Sequence, residues 1–263
     1  MYAFDYHRPD SLDEASRLLG AADDPKLLAG GQTLLPALKQ RLAQPSDLID
    51  LRRIDALRGI DEENGGVTIG AMTTHAELAG SDVVRRLIPA LADLAGHIGD
   101  PQVRNLGTLG GSICNADPAA DYPAALLALG AEVRTVKRRI AAGDFFTGMF
   151  ETALEEGEIV TAVHFPRPDR AAYAKFRNPA SRYAVVGVFI AQAAGEIRVA
   201  VTGAAASVFR WTKAEQALTA DFSPAALDGL TVDAADLNDD LHARADYRAH
   251  LVGVMAKRAV AAC

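Results

Sequence analysis

Two glycine pairs, each set beside hydroxyl residues at a junction between patterned segments, constrain this chain more than any other feature. The first lies in Leu27-Leu28-Ala29-Gly30-Gly31-Gln32-Thr33-Leu34, between a short apolar run at residues 26–29 and a stretch of helical periodicity at residues 34–42. Paired glycines at a strand-to-helix turn permit positive φ and bring several N–H donors to one point, which suits a diphosphate. A Gly-Gly turn also arises for steric reasons alone, so this loop by itself decides nothing. It does not follow the G-x-G-x-x-G pattern of the Rossmann dinucleotide turn. The second loop, Asn105-Leu106-Gly107-Thr108-Leu109-Gly110-Gly111-Ser112, repeats the ingredients. Two such loops in one short chain predict two walls of a single phosphate-binding cleft.

Between and around these loops the pattern mixes helices and strands. Ser11 precedes Leu12, Ala15, Leu18 and Leu19 at helical spacing and predicts a capped helix to Gly20. Strands are predicted at residues 48–51, 67–70 (after the turn Glu63-Asn64-Gly65-Gly66), 131–136, 159–165, 183–193 and 197–202. Helices are predicted at residues 83–98 and 122–129, around 213–218 and over 243–260. Residues 100–121 read as one long Gly, Asn, Asp and Pro-rich loop, and long loops inside compact domains are usually functional. Residues 145–150 read as an aromatic-rich turn. Pro166-Arg167-Pro168-Asp169 marks a domain boundary.

Composition removes several classes of function. The net charge of −7 leaves no basic surface for nucleic acid; the one short cluster, Lys137-Arg138-Arg139, reads as a solvated strand end. No apolar run approaches the roughly 20 residues needed to span a bilayer. The N-terminus lacks the character of a signal peptide, so a cytoplasmic protein is expected. Two cysteines, Cys114 and Cys263, cannot supply the about four thiolates of an iron–sulfur cluster, and the six histidines show no metal-ligand spacing. There is no nucleophile elbow and no acid–base pairing, so the chemistry must come from a bound cofactor. The segment Asn115-Ala116-Asp117-Pro118-Ala119-Ala120-Asp121 supplies carboxylates that a diphosphate would repel and to which a sugar hydroxyl would donate; capping of the next helix by Asp121 is the other reading.

Ala29-Gly30-Gly31-Gln32-Thr33-Leu34-Leu35-Pro36, Thr68-Ile69-Gly70-Ala71 and the run from Ile98-Gly99-Asp100-Pro101 through Gly110-Gly111-Ser112 occur in one order. Together they resemble the FAD-binding medium subunit of the molybdenum hydroxylase family, of the carbon monoxide dehydrogenase and xanthine dehydrogenase type. The resemblance implies an α+β fold. An FAD-binding domain of the p-cresol methylhydroxylase type spans residues 1–168, with two α+β subdomains at about 1–57 and 58–168. A smaller α+β C-terminal domain of the carbon monoxide dehydrogenase flavoprotein type follows at 169–263.

It further implies that Leu27, Leu28, Ala29, Gly30, Gly31, Gln32, Thr33 and Leu34, with Thr108, Leu109, Gly110, Gly111 and Ser112, cradle the FAD diphosphate. Asp121 would make a polar contact to the cofactor, Ile98 would lie near the flavin and Val160 toward the adenine side or the middle of the dinucleotide. Lys175 and Tyr183 match positions that approach the isoalloxazine. Ile98 is aliphatic where xanthine enzymes carry an aromatic, and Gln32 stands where covalent relatives carry histidine, so non-covalent FAD is expected. The implied partners are a small [2Fe–2S] subunit and a large molybdopterin subunit in a dimer of heterotrimers, with NAD, a quinone or oxygen as final acceptor. A stand-alone flavin oxidoreductase of the same fold is the alternative, and an assembly module without flavin a third reading.

Overall fold

The computed structural model describes residues 1–263 as three larger β-sheets and a two-stranded ribbon, Phe146–Gly148 with Glu151–Thr152, with helices packed between and around them. The first sheet is small and parallel, with the strand Asp47–Asp50 between Asp5–His7 and Pro25–Leu28. Parallel neighbours require crossovers, and the helices Leu12–Ala21 and Leu34–Lys39 lie between its strands in sequence. The Ser11 hydroxyl accepts from the Glu14 amide at 3.2 Å, as the capping pattern predicts. The second helix stops at Lys39, and Arg41 adopts a left-handed conformation with φ of 62° that ends the predicted periodicity early.

The second sheet is antiparallel and five-stranded, in the order Ile60–Glu63, Gly66–Gly70, Val160–Pro166, Glu132–Thr135, Arg139–Ala141. Asn64 and Gly65, both at positive φ, form the tight turn of its first hairpin. Six short helices lie between the strands Gly66–Gly70 and Glu132–Thr135, so that long connection is largely helical.

Three predictions fail here for local reasons. The single helix at residues 83–98 is two helices, Asp82–Leu87 and Pro89–Gly96, because Pro89 forces Ile88 out of helical geometry (φ −142°, ψ 68°). The loop predicted at residues 100–121 contains the helices Pro101–Leu106 and Leu109–Asn115. Asp100 caps the first, accepting from the Val103 amide at 2.8 Å, and Thr108 caps the second, accepting from the Gly111 amide at 3.1 Å. Residues 145–150 likewise hold the end of the helix Ala142–Phe145 and the strand Phe146–Gly148 rather than a bare turn.

The third sheet has the order Arg170–Arg177, Ala184–Ala193, Glu196–Thr202, Phe209–Arg210 and is antiparallel throughout. Its central strand is buried on both faces, which is why it reads as a continuous apolar run. Val186, Val188 and Ile190 point into a core shared with the helix Ala245–Ala262. Phe189 and Ala191 point the other way, into the large core that also holds Leu91, Leu126 and Phe165. The helix Tyr122–Leu129 lies against this face, so the third sheet closes over the middle of the chain rather than standing apart from it.

Candidate functional site

The strand Pro25–Leu28 delivers the first glycine loop, and Gly31 takes the turn at φ +71°. Gly30 sits against the second loop so closely that a Cβ there would lie 2.2 Å from the Leu106 carbonyl oxygen and 2.7 Å from the Gly107 Cα. The amides of Gly30, Gly31, Gln32 and Thr33 donate to no protein acceptor, and Thr33 makes no side-chain cap. Gln32 folds back, its Nε2 donating to the Gly30 carbonyl at 3.2 Å. Successive free amides in a tight loop form a concavity that favours an anion.

The second loop is built differently. Its Gly-Gly pair lies in the first turn of the helix Leu109–Asn115, and its amides are already engaged. Leu109 donates to the Thr73 carbonyl at 3.0 Å, Gly110 to Ala71 at 2.8 Å, Gly111 to the Thr108 hydroxyl at 3.1 Å and Ser112 to the Thr108 carbonyl at 3.0 Å. A Cβ on Gly110 would meet Ala71 Cβ at 2.7 Å, so that glycine lets the helix pack on the end of the strand Gly66–Gly70. The two walls exist as predicted, but the free amide donors come from the first; the second contributes shape and hydroxyl groups.

Between them opens a cleft of about 530 Å³. Of the residues expected in the site, Leu28, Leu109 and Lys175 do not line it, and all the others do. Leu28 packs beneath the first loop with Leu38 and Leu48. Leu109 is fully buried in the large core. Lys175 is turned away to the Asp121 carboxylate at 2.9 Å and the His97 carbonyl at 3.3 Å.

Asp121 lies at the start of the helix Tyr122–Leu129 but does not cap it. Its carboxylate accepts from Tyr173 and Lys175, both on the strand Arg170–Arg177. Burial pushes the Asp121 carboxyl up, against the pull of Lys175 and Tyr173, and burial together with Asp121 drives the Tyr173 hydroxyl well above its usual value. The preceding turn is pinned by the same sheet. Thr202 Oγ1 donates to the Ala120 carbonyl at 2.6 Å, and Gly203 N donates to Pro118 at 2.8 Å. The third sheet thereby sets one rim of the cleft, where Ser181, Arg182 and Tyr183 also face it.

Sequence reasoning passed over several residues of the lining. Ala71 and Met72 follow the strand Gly66–Gly70, and Cys114 lies beyond the second loop, beside Asn115 and Asp117 of the carboxylate segment that the sequence did single out. Burial pushes the Asp117 carboxyl up, so it is harder to ionise than an exposed one. His75 is buried at 4% exposure, with Nδ1 3.1 Å from the Tyr122 hydroxyl. Nothing in the periodicity marks it, because its burial depends on Gly107, which has no side chain to exclude it.

Residues 2–168 match the family model described as the FAD-binding domain in molybdopterin dehydrogenase. This chain belongs to that family. The carbon monoxide dehydrogenase medium chain of Hydrogenophaga pseudoflava is 38% identical, over 98% of this chain and 96% of the relative. The nicotine 6-hydroxylase medium subunit of Paenarthrobacter nicotinovorans is 36% identical over the same shares. Carbon monoxide dehydrogenase from Hydrogenophaga pseudoflava superposes with a TM-score of 0.90 at 40% identity, covering 99% of this chain and 97% of that one. Quinoline 2-oxidoreductase from Pseudomonas putida 86 gives 0.87 at 30% identity, covering 99% and 96%. The expected α+β architecture is therefore the fold of the chain, and the chain is an oxidoreductase subunit of the medium, FAD-binding class. No helix is long and apolar enough to cross a membrane.

Proposed function

We propose that this chain holds FAD non-covalently in the cleft between its glycine loops and relays electrons from a [2Fe–2S] partner to an external acceptor, NAD, a quinone or oxygen. The observation that carries the reading is the row of free amides at Gly30, Gly31, Gln32 and Thr33, facing a cleft whose opposite wall is the second glycine loop. These residues fit a diphosphate: neutral donors on fixed backbone need no counter-charge in the protein and no reorganisation when an anion arrives. FAD bound there supplies a carrier that gathers electrons singly and releases them in pairs.

The chain's own residues bind and orient. The segment from Leu27 to Leu34 would hold the diphosphate, with Thr108 and Ser112 offering hydroxyls from across the cleft. Ile98 and Val160 offer apolar surface, and Tyr183 approaches from the rim set by the third sheet. Asp121 and Lys175 act by holding the turn at residues 117–121, since each is the other's partner. Residues 1–168 form the FAD-binding part, subdivided at about residue 57, and residues 169–263 the C-terminal part. The relatives named as medium chains and medium subunits support a multi-subunit assembly; in this reading the partners are a small [2Fe–2S] and a large molybdopterin subunit, in a dimer of heterotrimers in the cytoplasm.

The test is to purify the chain alone and with candidate small and large subunits, and to record the visible spectrum before and after acid precipitation. Stoichiometric FAD released into the supernatant, with iron and molybdenum appearing only when the partners are present, supports the relay. A colourless protein that takes up no added FAD even in the assembled complex overturns it.

A further inference from the structure

One polar side chain in the cleft is buried without its full set of partners. His75 opens the helix His75–Gly80, and its Nδ1 pairs with the Tyr122 hydroxyl, while Nε2 has no protein hydrogen-bond partner. Tyr122 is fully buried, and His75 is the sole partner of its hydroxyl. The hydroxyl proton must therefore point at Nδ1, since the reverse arrangement would bury an O–H donor with no acceptor. Nδ1 accepting from tyrosine places the imidazole proton on Nε2. Burial and the nearby charge of Arg104 lower the ring's pKa to about 4, so the imidazole is neutral near pH 7.

The place of that Nε2–H matters. A Cβ on Gly107 would lie 2.7 Å from Nε2, so the ring occupies room that only glycine leaves. Gly107 is also the residue that Gly30 touches across the cleft. A donor with no protein acceptor, on a residue that lines the cleft, thus stands where the two glycine loops meet, beside the row of free amides.

We propose that His75 is a ligand-contacting residue, a neutral imidazole whose Nε2–H donates to an oxygen of the dinucleotide's diphosphate, with Tyr122 holding the tautomer. This rests on the FAD reading above. A neutral donor adds a hydrogen bond to the amide cradle without burying a cation in the ligand-free protein.

The full-length chain, stripped of flavin, is titrated with FAD, with ADP, which keeps the diphosphate, and with riboflavin, which lacks it. His75→Phe fills the ring's space without a donor, and His75→Gln returns an N–H close to the position of Nε2. The expected result is FAD and ADP affinities lower by roughly tenfold to a hundredfold in His75→Phe, as for loss of a hydrogen bond to a charged group. His75→Gln should recover most of this, and riboflavin binding should not change. Wild-type-like FAD affinity in His75→Phe, or an equal loss for riboflavin, overturns the role of His75 while leaving the FAD reading intact. Wild-type chain that binds neither FAD nor ADP overturns both. Should His75→Phe fail to fold, ¹⁵N-histidine spectra of the wild-type chain decide: an Nε2–H signal that shifts on saturation with ADP supports the contact, and one that stays in place overturns it.

Discussion

Gly30 and Gly107 meet backbone to backbone across the mouth of the cleft, with no room between them for a methyl group. Because a Cβ on Gly30 would lie 2.2 Å from the Leu106 carbonyl oxygen, a rigid backbone atom, the only relief is separation of the loops. Gly30→Ala should therefore widen the cleft and weaken FAD binding strongly, by tenfold or more on the scale of about 1.4 kcal/mol per decade, while the third sheet and its core remain folded. Flavin content of the purified variant and its far-ultraviolet circular dichroism check this. A variant that keeps full flavin content would show that the loops do not act as a fixed pair.

Asp121 and Lys175 form a buried pair, the carboxylate 4% and the lysine 5% exposed. Asp121→Asn leaves the Lys175 ammonium buried without its counter-charge, and removing one partner of such a pair costs about 3–5 kcal/mol. The double variant Asp121→Asn with Lys175→Met should recover much of that loss, since the stranded charge is gone. Chemical denaturation of wild type, both single variants and the double variant closes the cycle. A double variant no more stable than Asp121→Asn would mean that the pair is not the dominant interaction at this site.

Much of this architecture is legible in the chain. The apolar run at residues 184–193 announces a strand covered on both faces, and the Ser11 cap announces the first helix. What is not legible depends on tertiary partners. Asp100-Pro101 and Thr108-Leu109 are helix starts by local chemistry, but the glycine content around them reads as loop. The two glycine loops look alike in sequence, and it is the carbonyls of Ala71 and Thr73, together with the Thr108 cap, that take up the amides of the second. Lys175 matched a cofactor-facing position by motif, yet a carboxylate from a distant turn captures it. Such captures span tens of residues along the chain and leave no local pattern.

Thr202 tests whether the third sheet sets the cleft. Its hydroxyl is within reach of the carbonyls of Ala120 at 2.6 Å and Pro118 at 3.1 Å, in a residue only 1% exposed. Thr202→Val keeps the shape and removes the donor, leaving a buried carbonyl unpaired at a cost of about 1–3 kcal/mol. The turn at residues 117–121 should loosen, and FAD affinity should fall although Thr202 itself does not line the cleft. Titration with FAD at a temperature where the variant is fully folded separates the two effects; an unchanged affinity would detach the third sheet from the site.

Glu158 gives the fold an acid limit. Its carboxylate accepts from Arg138 at 3.1 Å, the Thr135 hydroxyl at 2.6 Å and the Glu155 amide at 2.8 Å. Arg138 belongs to the cluster Lys137-Arg138-Arg139 that the sequence presents as merely solvated. First the Arg138 hydrogen bond, then the amide and hydroxyl, hold the Glu158 carboxyl down to about 2, against the opposing effect of burial. A carboxyl whose folded value is depressed binds fewer protons folded than unfolded. Its stabilisation is therefore present in full above the unfolded value near 4.3 and is lost as pH falls from there toward 2. With Arg138 40% exposed, solvent screens the pair and the contribution is of order 1–2 kcal/mol. Wild type should exceed Glu158→Gln by that amount at pH 7, and the gap should close on acidification to about pH 2. Denaturation midpoints across this window check the sign: a gap that widens as pH falls would contradict the assignment of Glu158 as an ionised partner of Arg138.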